Sequence, residues 1–353
     1  MNSHSSAPVV HLDGYFDNPS GDFAIENAIL KTAGIEIFAP RGNPLQAASQ
    51  ARVVLFRAAS IDSGVLDALT SCQCLIRYGI GLDKVNIPEA TRRGIAVCNI
   101  PDFCTDEMAD HTMALALCLH RQLATSIRTP EPARPRTGTR PPIQGLQGAL
   151  FVTIGFGRIA RAVLHRAAAF GCAVAASDPF VPHETLHAAG ILPLSLEEAL
   201  TQADILTLHC PFTPSSARMI NREALFQMKR TSILLNTSRG GLVETEALLD
   251  ALRQGWIAAA GLDVTDPEPL PSTHPLHSFD NVVITPHTAW YSENAENNLR
   301  RKVAENVLRV LRGEPLQGQV NPLLSRVSQE SRNRTGSCET RANTNDVGMD
   351  ERK

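Results

Sequence analysis

The sequence lacks any long uncharged apolar run. Its longest candidate, 112–119, falls far short of the roughly 20 residues a membrane-crossing helix needs. No membrane partner is therefore expected. It also lacks a charge excess: 33 Lys and Arg against 36 Asp and Glu leave a formal charge of −3. A chain so balanced has no general electrostatic pull on nucleic acid, and no nucleic-acid partner is expected. The opening MNSHSSAPVV has no basic region followed by an apolar core, so no secretory leader is expected. Eight cysteines are scattered at 72, 74, 98, 104, 118, 172, 210 and 338, without two C-x-x-C pairs. That pattern fits neither a zinc cluster nor a disulfide framework, so no metal is expected and a reducing cytoplasm is the expected compartment. What is present is a 353-residue chain, 43% hydrophobic and 20% charged, the profile of an ordinary globular protein of about two domains.

The most informative stretch is 150–178, LFVTIGFGRIARAVLHRAAAFGCAVAASD. Five residues suited to a doubly buried strand lead into Gly155, Gly157 and Ala160 at G-x-G-x-x-A spacing, then into an Ala-rich helical run. Gly155 permits the tight turn, Gly157 lets a pyrophosphate approach the backbone, and Ala160 lets the helix pack on the strand. The amides at the helix start would face the phosphates. A second apolar run ends at Asp178, where a carboxylate accepts ribose hydroxyls and repels a 2′-phosphate. The glycine spacing alone is a weak signal. Strand, glycines, helix, strand and acid in this order make a strong one for NAD.

Upstream, segments 9–12, 35–38, 53–56, 75–78 and 96–99 read as strands alternating with helices at 23–32, 45–50, 62–70 and 88–92. That rhythm predicts a parallel sheet flanked by helices. Arg57, and the loop containing Tyr78, Gly79 and Ile80, fall at strand carboxyl ends, where open α/β sheets bind ligands. Thr105 is the expected N-cap of a buried helix running to about 123, and His111 on it is read first as a hydrogen-bonded packing histidine. Segment 128–142 holds five prolines and four arginines and is expected to be an exposed loop or arm. Downstream, strands are expected at 205–209, 232–236, 258–262 and 282–285. Asn221 should cap the helix at 222–228. A last helix, 289–312, should return to the first domain, and 323–353 should be a disordered tail.

The strand ends of the second domain deliver Arg239, Asp263 and His287 toward one edge, with Glu268 in the loop between the last two. Hydride transfer to a 2-keto acid needs a cation for the carboxylate, a proton donor for the carbonyl oxygen, and a group that keeps the donor protonated. An arginine fork, a histidine and a neighbouring carboxylate meet those needs.

In these residues the chain resembles the D-isomer-specific 2-hydroxyacid dehydrogenase family, which includes D-lactate, glyoxylate/hydroxypyruvate and D-3-phosphoglycerate dehydrogenases and the C-terminal-binding-protein corepressors. The resemblance runs from about 9 to 322. It rests on Asn99-Ile-Pro with Thr105-Asp-Glu-Met-Ala-Asp, Gly155 to Ala160, His209-Cys-Pro-Phe-Thr-Pro, and Met228-Lys through Asn236-Thr-Ser-Arg-Gly-Gly-Leu-Val. Gly261-Leu-Asp-Val, Glu268-Pro and Thr285-Pro-His-Thr-Ala complete it. It implies an α/β protein of two Rossmann-like domains with parallel sheets. A discontinuous flavodoxin-like substrate domain (1–100 and 290–322) would surround an inserted NAD-binding domain (101–289). It implies that Arg239 binds the substrate carboxylate and carbonyl, that His287 is the acid/base, and that Glu268 pairs with His287. It also implies that Asp263 positions the nicotinamide amide and that Arg158, Ile159 and Asp178 contact NAD. Ile80, His209, Cys210, Pro211, Thr237, Ser238 and Arg239 would complete the cofactor site, with Arg57, Tyr78 and Gly79 on the substrate side. Two departures stand out. Val152 replaces a glycine common in the first nucleotide strand, and 128–142 lacks the tryptophan-bearing arm that packs across relatives' dimers. A homodimer acting on a small 2-keto or 2-hydroxy acid is the expectation. An NAD-sensing corepressor or scaffold of the same fold, and more distantly a methyltransferase, are the alternatives that the residues leave open.

Overall fold

The computed structural model describes residues 8–13, 23–40, 43–128 and 143–322. The expected arm within 128–142 and the expected tail lie outside the described residues, apart from the backbone of Arg128. The described residues divide into two compact units: those within 8–78, 84–99 and 303–322 form one, and those within 79–83 and 100–302 form the other. That division falls inside the last helix rather than at 290, and it assigns the short loop 79–83 to the second unit.

In the first unit, β1 (Val9–His11), β2 (Val53–Phe56), β3 (Cys74–Arg77) and β4 (Ala96–Cys98) form an all-parallel sheet in that order. The strand expected at 35–38 shrinks to one bridge, Phe38 to Val10, on the outer side of β1. Ile37 is buried there, but the Phe38 side chain is exposed and Pro40, which has no N–H to donate, follows, so the edge pairing stays short. With that bridge the order is the doubly wound 2-1-3-4-5. Asn321 pins the chain after the last helix beside β4. Its side chain accepts from Val97 N (2.8 Å) and donates to Ile95 O and Thr91 Oγ1 (both 2.9 Å).

The second unit is built on a seven-stranded parallel sheet. Its strands are β5 (Leu150–Ile154), β6 (Ala173–Ser177), β7 (Leu192–Pro193), β8 (Ile205–Leu208), β9 (Ile233–Asn236), β10 (Ala259–Leu262) and β11 (Val282–Ile284). The spatial order is β11-β10-β9-β8-β5-β6-β7, so the winding reverses between β5 and β8. Both faces are buried, as the continuous apolar runs require. Val152, Ile154, Leu206 and Leu234 feed one core. Phe151, Ile205 and Leu235 feed the other, together with the helices Thr105–His120 and Arg158–Ala169. Val152 is fully buried against that first core, so the side chain replacing glycine is absorbed.

Local chemistry sets the element ends. Asn221 accepts from Ala224 N at 2.9 Å, and a Ser195–Glu198 capping box starts the helix Leu196–Gln202. Two expectations need correction. Thr105 is the first helical residue rather than the cap; Cys104 stands at the N-cap and makes no side-chain cap bond. The last helix runs Glu293–Arg312 and begins after Ser292, whose Oγ accepts from Ala295 N at 2.9 Å. It does not begin at 289, because the amides of Thr288 and Ala289 are held by the Asp263 carboxylate.

Candidate active site

The winding reversal between β5 and β8 leaves a crevice at the strands' carboxyl ends, and the glycine turn lies there. Gly155 has φ +98°, and a Cβ on it would meet the His209 carbonyl oxygen at 2.7 Å, so no other residue fits. Space around Gly157 is open: a Cβ there would meet nothing within 4 Å. No side chain caps the helix Arg158–Ala169, so the amides of its first turn remain for a ligand. Asp178 follows β6 with both carboxylate oxygens oriented by backbone amides, Oδ2 by Phe156 N (2.8 Å) and Oδ1 by Phe180 N (2.9 Å). Each oxygen keeps a second lone pair for a hydroxyl donor. These residues fit a dinucleotide.

Past β8, His209 shares a hydrogen bond of 3.1 Å between Nε2 and Thr207 Oγ1, and burial pushes its imidazole down to about 3. Burial pushes the Cys210 thiol up to about 11. The Cys210 carbonyl accepts from Ser238 Oγ at 2.7 Å, which ties the β8 loop to the β9 loop.

The β11 loop carries His287 in the left-handed region, φ +54°, an unfavourable conformation for a side chain with a Cβ. Two backbone bonds hold it there, from His287 N to Asp263 O (2.9 Å) and to Thr285 O (3.0 Å). His287 Nδ1 faces Glu268 Oε1 at 2.5 Å, and the ring is about half exposed. Asp263 is buried and organises this loop. Its Oδ1 accepts from Thr285 Oγ1 (2.6 Å) and Thr288 N (2.9 Å), and its Oδ2 accepts from Ala289 N (3.0 Å). His111 Nε2 reaches Thr285 Oγ1 at 3.0 Å, the packing role read for it from sequence.

Arg239 follows β9. The buried Asn236 shapes its loop, donating to Arg239 O (2.8 Å) and accepting from Ser238 N (3.0 Å). The Arg239 guanidinium bonds Asp83 Oδ2 through Nε and Ser238 O through Nη1, both at 2.7 Å. Because β9, β10 and β11 are adjacent and parallel, Arg239, Asp263 and His287 leave the sheet at one edge. The residue after Arg239 lies against the loop that carries Glu268: a Cβ on Gly240 would overlap Thr265 O at 2.0 Å. Sequence reasoning missed Asp83, Asn236 and Thr285. Asp83 stands in the same loop as the named Gly79 and Ile80, but no local spacing pairs it with Arg239.

In the first unit, Arg57 is half-buried, and its backbone N–H and that of Ala58 are held by the Asp13 carboxylate. Tyr78 departs from the substrate-side expectation. Its ring is buried, 5.4 Å from that of His11, and its hydroxyl lies 3.1 Å from the buried Glu26 carboxylate. The phenol turns into the core because both its apolar body and its polar tip find partners there.

An open glycine turn at the switch point of a parallel sheet, with a histidine–carboxylate pair at the same carboxyl edge, is the equipment of a dinucleotide-dependent oxidoreductase. Residues 113–289 match the family model described as D-isomer specific 2-hydroxyacid dehydrogenase, NAD binding domain. The chain is 36% identical over 257 residues to a glyoxylate reductase of Korarchaeum cryptofilum, covering 72% of this chain and 77% of that one. It is 36% identical over 284 residues to a D-3-phosphoglycerate dehydrogenase of Methanocaldococcus jannaschii, covering 78% of this chain and 53% of that longer one. Among solved structures it is similar to the D-lactate dehydrogenase of Aquifex aeolicus complexed with NAD and lactic acid. That likeness has a TM-score of 0.75 at 25% identity, and covers 87% of this chain and 96% of that one. The chain belongs to the D-isomer specific 2-hydroxyacid dehydrogenase family. It is an NAD-dependent oxidoreductase of the 2-keto acid and 2-hydroxy acid couple.

Proposed function

We propose that this enzyme reduces a small 2-keto acid to its D-2-hydroxy acid, with His287 as proton donor, Glu268 as its partner and Arg239 as anchor of the substrate carboxylate. The observation that carries the reading is the His287–Glu268 pair at 2.5 Å. Glu268 engages Nδ1 and so fixes the ring, which leaves Nε2 as the atom that gives or takes a proton. NAD, when bound, supplies or accepts the hydride. Asp263 keeps His287 in place through the loop amides and the Thr285 hydroxyl. Arg239 offers a planar fork that matches a carboxylate. Asp178 takes the adenosine ribose and selects NAD over the 2′-phosphorylated form. The reverse reaction uses the same groups, with His287 accepting the proton.

The first unit is the substrate domain in this reading, with its Arg57 on the substrate side, as is the backbone at Gly79 in the second unit. Its expected limits (1–100 with 290–322, around 101–289) belong to the proposal. The protein works in the cytoplasm as a homodimer. The cytoplasmic assignment is supported by the described cysteines, all free thiols. Exposed Leu123, Ile127 and Ile143, which flank the arm segment, support the homodimer. Loss of NADH absorbance with glyoxylate, hydroxypyruvate and pyruvate tests the activity. Tight NADH binding without turnover of any 2-keto acid would show a binding protein instead.

A further inference from the structure

We infer that Asp83 is a positioning residue that aims the Arg239 guanidinium, a role that rests on reading Arg239 as the carboxylate anchor. A free arginine side chain samples many rotamers, and a bidentate contact needs one of them. Here three features remove the choice. Nε donates to Asp83 Oδ2 at 2.7 Å, and Nη1 donates to Ser238 O at 2.7 Å. The third is clearance: a Cβ on Gly81 would lie 1.4 Å from Nη2 and 2.6 Å from Cζ, so the guanidinium sits where only a glycine allows it. Arginine has five N–H donors, of which these bonds engage two. The three left are on Nη1 and Nη2, the end of the fork that a carboxylate can grip with two parallel bonds.

The loop does not need the ion pair to stay in place, because Gly79 O independently accepts from Ile100 N at 3.0 Å. The Asp83 and Arg239 side chains are only 33% and 28% exposed, so their contact is less screened than a surface pair. Asp83 also brings a negative charge near the place where a substrate carboxylate would bind. Aiming strengthens substrate binding and repulsion weakens it, so the sign of the Asp83→Ala effect separates the two.

The test is steady-state kinetics of the full chain with NADH and the best 2-keto acid of the panel, for Asp83→Ala, Asp83→Asn and Arg239→Gln, beside NADH affinity by fluorescence titration. Asp83→Ala should raise KM at least tenfold and lower kcat/KM roughly 100-fold, the scale of a misplaced binding group. NADH affinity should stay within about twofold of wild type. Asp83→Asn keeps an oxygen acceptor for Nε–H and should recover most of the loss. Adding Asp83→Ala to Arg239→Gln should do nothing further, since there is no fork left to aim. An unchanged or lowered KM in Asp83→Ala would overturn the proposal and make the carboxylate a competitor of the substrate. A parallel fall in NADH affinity for both Asp83 variants would overturn it in favour of a purely structural loop residue. If Arg239→Gln itself leaves KM unchanged, the anchor reading has failed. If Arg239→Gln raises KM and Asp83→Ala does not, the positioning role alone has failed.

Discussion

Just past β9 and β11 of the second unit, Arg239 and His287 keep their side chains 28% and 45% exposed, each braced by one carboxylate. Just past β3 of the first unit, Tyr78 is 2% exposed, with its hydroxyl on Glu26 and its ring near that of His11. All three occupy the same kind of position, the carboxyl end of a parallel strand. The difference lies in what waits beneath them. In the first unit a buried glutamate takes the polar tip inward. In the second, the buried polar groups Asn236 and Asp263 bond backbone groups and a hydroxyl, and they brace the loops while the tips of Arg239 and His287 stay partly exposed. Polar burial in one unit satisfies the core, and in the other it stiffens a site.

That contrast can be broken experimentally. The largest effect is expected from His287→Ala, which should lower kcat by roughly 100- to 10,000-fold, the range for a lost acid/base group. NADH affinity should hardly change in a fluorescence titration; equal losses in both would make His287 a structural residue like Tyr78. Next, Tyr78→Phe should lower stability by about 1–2 kcal/mol, from one hydrogen bond lost to a buried carboxyl group. Urea unfolding measures that, while KM for the keto acid should hold; a raised KM at unchanged stability would return Tyr78 to the substrate side.

Asp178→Ala should weaken NAD binding about tenfold, worth ~1.4 kcal/mol, and narrow the gap to NADP. An unchanged preference in paired titrations would refute the ribose role. A last effect, of similar size, concerns pH. The His209 imidazole is held down to about 3 in the fold, against 6.5 when unfolded. Below 6.5 the unfolded chain takes up the proton first, so the folded state loses stability as pH falls from 6.5 toward 3. Between pH 7 and 5 the loss should reach ~1–2 kcal/mol, and His209→Asn should flatten that part of the melting-temperature profile. An identical acid limb in the variant would place the sensitivity elsewhere.

The glycine turn was legible because its meaning is local. Strand, Gly155, Gly157, helix and Asp178 lie within one βαβ unit, where spacing along the chain is spacing in space. The Glu268–His287 pair was legible only as what the family resemblance implies. Its left-handed backbone at His287 was not, because a side chain with a Cβ adopts that conformation only when surrounding bonds impose it. Thr105 looked like a cap because its residue type suits one, yet Thr105 is already the first helical residue and Cys104 takes the cap position. The strand at 35–38 was over-read for a similar reason: its apolar residues suit a strand and Ile37 is buried, but Phe38 faces solvent and only one bridge, Phe38 to Val10, forms.

Residue order by itself determined the parallel α/β architecture, the dinucleotide turn and the identity of the groups that could handle a proton and a carboxylate. These follow from periodicity and from short-range stereochemistry, which the chain carries wherever it folds. Only the tertiary structure decided that Asp83 meets Arg239 across 156 positions, that Asp263 braces the loop of His287, and that Tyr78 turns inward. Such pairings depend on which strands lie side by side, and that is settled by the packing of the whole sheet.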